Sequence, residues 1–170
     1  MKSITATASF VPNSLARSNL TLQRSVEVEV DCSVQQVYDL WNRLENVPRW
    51  MPLVKSVRRL RGEEELWHWK FGLGFPLSTE WTSRITRRIP LRLIAWNSIS
   101  GLSNQGSAEF LATDRGCRLR LTVAFDLPGG IAGAFLENVG LDRWLEANLT
   151  ESLNRFQSQI EAEVLRQGVT

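Results

Sequence analysis

The chain has 170 residues, 43% of them hydrophobic and 22% charged, with a formal charge of +2. That length suits one domain and is short for two, and so small a charge gives no basis for binding nucleic acid. Two cysteines, Cys32 and Cys117, make no disulfide framework and no CxxC pair, and no run approaches the roughly 18 apolar residues of a membrane span.

Residues 1–21 lack sustained periodicity, contain Pro12 and Asn13, and carry no acid. They are expected to be an irregular extension, either a flexible tail or a targeting segment. With no other signal present, the expected location is cytoplasmic. A single domain is expected over 22–167.

The pattern changes at Gln23. Val26, Val28 and Val30 alternate with Ser25, Glu27 and Glu29, which predicts a strand with one wet face. Ser33, with Gln36 three residues on, fits a helical capping box. Val34, Val37, Tyr38 and Trp41 then predict a short helix over 34–42. A further turn follows, and Pro48 and Pro52 prevent a longer one. Trp50 and Met51 therefore fall in a bent segment.

Extended runs come next. The first covers 54–61. The second, 65–71, puts Trp67, Trp69 and Phe71 on one face and Leu66, His68 and Lys70 on the other, and is broken by Gly72, Gly74 and Pro76. The third, 78–89, sets Trp81, Ser83, Ile85, Arg87 and Ile89 against a nearly unbroken polar face, as in a sheet with water on one side. Strands over 91–99 and 106–113 flank a polar loop around Gly101 to Gln105. The last, 117–127, alternates most cleanly: Leu119, Leu121, Val123, Phe125 and Leu127 oppose Arg118, Arg120, Thr122, Ala124 and Asp126. Short turns between neighbours favour an antiparallel meander.

Pro128-Gly129-Gly130 marks a boundary. Beyond it the period rises to that of a helix, with Leu141, Leu145, Leu149, Ser152, Leu153, Phe156, Ile160 and Val164 in one stripe. A helix over 142–165 would be about 36 Å long. Only the sheet offers a surface of that length.

Three pieces of this layout resemble the START-like (SRPBCC) superfamily, in its polyketide cyclase/dehydrase and coenzyme Q-binding branch. They are Val37-Tyr38-Asp39-Leu40-Trp41 through Pro48-Arg49-Trp50-Met51-Pro52; Trp96 and Ser98 followed by Asn104, Gly106 and Phe110; and Phe125-Asp126-Leu127-Pro128-Gly129-Gly130 before the long helix. The resemblance covers roughly 22–165. It implies an α+β helix-grip fold of the START/Bet v 1-like type. A curved seven-stranded antiparallel sheet would pack around the C-terminal helix, with two short helices after strand one and a cavity between helix and sheet. Members bind lipids, quinones, hormones or polyketides, and some are enzymes. Fold alone does not choose among these uses.

The candidate ligand-binding residues follow from the strand faces and the helical stripe. Trp67, Trp69 and Phe71 are expected to line the cavity from one strand, and Trp81, Trp96, Phe110 and Phe125 from others. The helix would contribute Trp144, Leu145, Asn148, Leu149 and Ser152, with Trp50 and Met51 at the mouth. Plain core packing explains any one of these aromatics; the ligand reading rests on the group. A void in the usual ligand range of roughly 300–1,000 Å³ is expected. Ser98, Asn104, Asn148 and Ser152 are among the few polar groups able to orient a carbonyl or hydroxyl. Arg87, the one charge on its face, would meet an acidic ligand group or snorkel at the sheet edge.

Catalytic signals are thin. His68 is the only histidine, and it shares its face with Lys70 rather than with the tryptophans. No compact metal-ligand set, nucleophile elbow or phosphate loop occurs. No catalytic residue, metal or cofactor is assigned. The leading expectation is a non-catalytic carrier, chaperone or sensor for an apolar small molecule such as a lipid, quinone or polyketide-like compound. One alternative is an aromatase/cyclase-like enzyme. Another is an interaction module whose basic groups (Lys55, Arg58, Arg59 and Arg61; Arg84, Arg87, Arg88 and Arg92) contact an anionic membrane or a partner. Sequence alone does not fix the oligomeric state.

Overall fold

A computed structural model describes residues 20–62, 65–74, 77–127 and 140–168. Its strands are β1 (Leu20–Val30), β2 (Val54–Arg59), β3 (Leu66–Gly74), β4 (Leu77–Ile89), β5 (Leu93–Gly101), β6 (Asn104–Ala112) and β7 (Cys117–Leu127). All pair antiparallel, in the order β1-β7-β6-β5-β4-β3-β2. Helix α1 (Val34–Trp41) and a 3-10 helix (Leu44–Arg49) lie between β1 and β2, and helix α2 (Leu141–Gln167) ends the fold. The curved sheet packs against α2, which is the helix-grip arrangement expected from the sequence. β1 begins at Leu20, a little before the predicted start. The rest of the N-terminal extension and the Pro128-Gly129-Gly130 boundary lie outside the described residues. No helix among the described residues is long and apolar enough to cross a membrane.

Local chemistry sets these elements. The capping box at α1 is formed: Gln36 N donates to Ser33 Oγ at 3.3 Å, and Ser33 N donates to Gln36 Oε1 at 3.0 Å. α1 then buries Val37, Tyr38, Leu40 and Trp41. α2 has no side-chain cap, because Gly140 precedes it in the left-handed region at φ 96°. Its first turn is tied to β1 instead by a 2.5 Å ion pair between Asp142 and Arg24. From there Leu145, Leu149, Ser152, Leu153, Phe156 and Ile160 turn toward the sheet. On the outer face of β1 and β7, Glu27 opposes Arg120 and Glu29 opposes Arg118, at 3.1 and 3.2 Å. Such cross-strand pairs support the register that alternation sets.

Two irregularities in the β4–β5 ladder change the face assignments. Thr86 is an extra residue between the Ile85–Trp96 and Arg87–Ala95 pairs, and Ile99 is extra between the partners of Ser83 and Thr82. An extra residue reverses parity for whatever follows it. Arg87 therefore leaves the face of Trp81 and Ile85, where strict alternation had put it, and stands exposed opposite Ala95. Arg88 takes the inner side in its place, opposite the buried Ile94. There it donates to Asn42 Oδ1 at the end of α1 and to Glu65 Oε2 at 3.3 Å.

The core is densest where α1, the 3-10 helix and the middle of α2 meet. Trp41 and Trp50 each approach Phe156 edge to face, at 5.2 and 5.1 Å between ring centroids. Tyr38 meets Phe110 in the same way at 5.2 Å. Val30, Cys117 and Leu119 close this end and are fully buried.

Candidate functional site: an apolar cavity under the first half of α2

Toward the start of α2 the packing opens. A cavity of about 90 Å³ lies between Leu145, Asn148, Leu149 and Ser152 of α2 and the inner faces of β3 to β7. Its remaining wall comes from Trp41, Leu44, Val47, Met51, Leu53 and Val54, around the two short helices and the start of β2. The volume falls below the range expected from the sequence. The reason is side-chain size: indole and phenyl rings fill most of the gap that a curved sheet leaves beside a straight helix.

Nearly parallel indoles dominate the sheet side. Trp69 and Trp81 are directly cross-strand, 6.0 Å apart with 9° between their planes. Phe71 and Phe125 flank Trp81 at 5.8 and 6.3 Å. Trp69 is held by its indole N–H, which donates to Ser83 Oγ at 2.8 Å. Ser83 is fully buried, so it offers one fixed acceptor in an apolar wall. Trp96 lies across β6 at Gly106. A Cβ there would sit 2.4 Å from Trp96 Cζ2 and 2.6 Å from Thr122 O, so only glycine lets the indole lie flat.

Polar lining is limited to Asn104, Asn148 and Ser152. Asn104 Nδ2 donates to Leu102 O at 2.8 Å, and its backbone N–H donates to Ser98 Oγ at 2.9 Å. Asn148 Nδ2 donates to Trp144 O at 2.8 Å, and Ser152 Oγ donates to Asn148 O at 2.7 Å. No described lining residue is titratable. His68 lies across the sheet from the cavity, with Nε2 3.1 Å from Glu80 Oε2. A hydrogen bond from Lys70, and then the His68 contact, holds the Glu80 carboxyl below its usual range. Among the described residues no cluster of three or more His, Cys, Asp or Glu side chains could hold a metal.

The structure thus gathers Met51, Trp69, Phe71, Trp81, Trp96, Asn104, Phe125, Asn148 and Ser152 around one space. It places the other candidates elsewhere. Trp50 is wholly buried against Phe156 rather than at a mouth, because the 3-10 helix turns it inward. Trp67 is on the inner face but belongs to the packed core. Phe110 pairs with Tyr38 at the dense end, and Arg87 is on the outer face beyond the bulge. Ser98 and Trp144 stand behind the lining and orient Asn104 and Asn148 through the bonds given above. Ile85, Leu121 and Val123 line the cavity without having been singled out. Their alternation with Trp81 and Phe125 carried that signal. Trp41, Leu44 and Val47 carried none beyond helical burial.

Residues 30–146 match the family described as polyketide cyclase / dehydrase and lipid transport. The chain belongs to this family. Among solved structures, a Thermus thermophilus protein is 18% identical, with a TM-score of 0.67 over 85% of this chain and 99% of its own. The Zhui aromatase/cyclase of Streptomyces sp. R1128 is 19% identical, with a TM-score of 0.63 over 86% of this chain and 96% of its own. The di-domain aromatase/cyclase StfQ of the steffimycin biosynthetic pathway is 16% identical, with a TM-score of 0.61 over 85% of this chain and 52% of its own. At these identities the likeness establishes the fold. No curated protein matches the sequence.

These findings correct the expectation of a non-catalytic binding protein. The polyketide cyclase/dehydrase family is named for reactions as well as for transport, and two of the similar structures are aromatase/cyclases. No histidine is among the described residues that line the cavity. That absence bears on general acid–base catalysis by a side chain. It does not bear on reactions that proceed because a flexible, reactive chain is folded and held.

Proposed function

We propose that this member of the family is a cyclase/dehydrase-type enzyme, which folds a neutral, ketide-like chain so that its own carbonyl groups react. The observation that carries this reading is the cavity itself. It is an aromatic-walled, uncharged space with three polar residues. A dry cavity of about 150 Å³ is known to hold one benzene. A space of about 90 Å³ therefore grips one segment of a substrate at a time. The half-buried Met51, Phe71 and Phe125 would move aside for more.

Confinement is the main contribution. Bringing an enol carbon against a carbonyl in a fixed conformer replaces entropy that a free chain would lose, and effective concentrations for well-oriented intramolecular partners can be very large. The cavity polar groups orient the oxygens, and proton transfers run through them and through water.

The test is incubation with a linear triketone, following formation of the phenolic ring with loss of one water by mass spectrometry. Accelerated ring formation that falls when Leu149→Trp fills the cavity is the expected result. Ring formation at the buffer rate, with no binding of the triketone, would remove the proposal.

A further inference from the structure

We infer that the outer face of β2, β3 and β4 docks on an anionic lipid surface. The inference is independent of the cavity, which lies across the sheet on the α2 side.

Register brings the cations together. Arg58 on β2 stands opposite His68 on β3, which stands opposite Thr82 on β4. Two residues on, Arg84 shares that face, opposite Leu66 and Asn97. Strict alternation would put Arg88 further along it. The extra Thr86 puts Arg87 there instead, opposite Ala95, and turns Arg88 inward. Arg58 and Arg84 are about 10 Å apart across the strands and about 7 Å apart along them. Arg58, Arg84 and Arg87 are all exposed, and none is in an ion pair with a described residue.

The far half of the same face is balanced. Arg118 and Arg120 are bonded to Glu29 and Glu27, and Arg115 to Asp31. In β2, β3 and β4 the one acid is Glu80. Lys70 and His68 already hold it, at 3.0 and 3.1 Å. Three guanidinium groups therefore stand without countercharge on one half of the sheet. Each can take a phosphate oxygen pair, and their spacing spreads them over separate headgroups instead of focusing them on one ligand. Ile99 is 52% exposed and adjoins Ser100, which is opposite Thr82 in the Arg58 row. An exposed isoleucine beside arginines suits a bilayer boundary, where the apolar group leaves water and the cations stay with the phosphates. These two features favour a lipid surface over an acidic polypeptide. Each arginine near such a surface strengthens partition about fivefold, so three give about a hundredfold.

The test is sedimentation of the full chain with phosphatidylcholine vesicles, with and without about one-third phosphatidylglycerol. At low ionic strength the chain should bind only the vesicles containing phosphatidylglycerol, and rising salt should release it. The triple variant Arg58→Gln, Arg84→Gln, Arg87→Gln should bind about a hundredfold more weakly, and Ile99→Ser several-fold more weakly. A second triple variant, Arg115→Gln, Arg118→Gln, Arg120→Gln, has the same net charge as the first and should keep most of its binding. Circular dichroism confirms that the variants fold. Equal binding to both kinds of vesicle, or equal loss in the two triple variants, would overturn the inference. Binding of poly-glutamate without binding of vesicles would overturn it too, and would assign the face to an acidic polypeptide.

Discussion

Two aromatic clusters line the same helix–sheet interface, and only one of them leaves space. At the dense end, Trp41 and Trp50 meet Phe156 edge to face at 5.1 to 5.2 Å. At the hollow end, Trp69, Trp81, Phe71 and Phe125 stand at 5.8 to 6.3 Å around a void. The dense cluster draws its rings from α1, the turn after the 3-10 helix, and α2. Three separate elements can settle until edges meet faces. Rings of the hollow cluster all rise from one sheet, where the Trp69–Ser83 bond holds Trp69 upright. Trp69 stacks on Trp81, Phe71 is tilted against Trp81, and Phe125 meets Trp81 edge to face. Trp41 belongs to both groups and marks the border.

Truncations can break this comparison. Phe156→Ala should cost about 3–5 kcal/mol in urea unfolding, because a fully buried ring would leave a cavity among fixed neighbours. Trp81→Ala should cost less, since one side of that indole already faces the void and has fewer contacts to lose. An equal or larger loss for Trp81 would mean that the hollow end packs as tightly as the other.

A narrower comparison uses one residue type on one helix. Leu153 is 1% exposed and Leu149, on the cavity, 8%. Within the usual range of about 2–5 kcal/mol for Leu→Ala, Leu153 should fall toward the top and Leu149 toward the bottom. Removing the anchor of the hollow end comes next in size. Ser83→Ala should cost about 1–3 kcal/mol by leaving the Trp69 N–H without its acceptor, and should shift the indole emission. An unchanged spectrum would show that Ser83 does not hold the ring.

The smallest effect concerns pH. Hydrogen bonds from Thr21 and then Ser103 hold the Asp126 carboxyl below its ordinary value of 3.8. A folded-state value below the unfolded one gives stability that is present above the unfolded value and fades as pH falls through the folded one. Wild type should therefore lose stability between neutral pH and about pH 3 more steeply than Asp126→Asn, with the difference read from urea midpoints. Parallel curves would show that these bonds do not favour the charged form.

Alternation made much of this fold legible. It assigned Trp69, Trp81 and Phe125 to the inner face, and the helical stripe assigned Leu145, Leu149 and Ser152 to the face that meets them. It could not assign depth along a strand. Trp67 and Trp69 share a face but stand about 7 Å apart on β3, and only Trp69 reaches the cavity. Arg87 was misplaced because a bulge has no sequence signature as plain as a glycine. Thr86 looks like any other strand residue, and the shift shows only in the pairing with Ala95. Trp50 was misjudged because a proline-containing bend gives no inward direction until the 3-10 helix is seen. The volume was overestimated because a pattern of apolar positions says which rings face the gap and not how far they fill it.

β2 ends the sheet on one side and presents a six-residue edge that includes the exposed Lys55, Arg58 and Arg59. Among the described residues no further strand pairs with it, and an edge of that kind is a template for any extended polypeptide. A second copy docking there head to tail would crowd cations from both edges together, with no acid of β2 to offset them. The strand is short and like-charged, so it deters runaway strand-by-strand polymerisation.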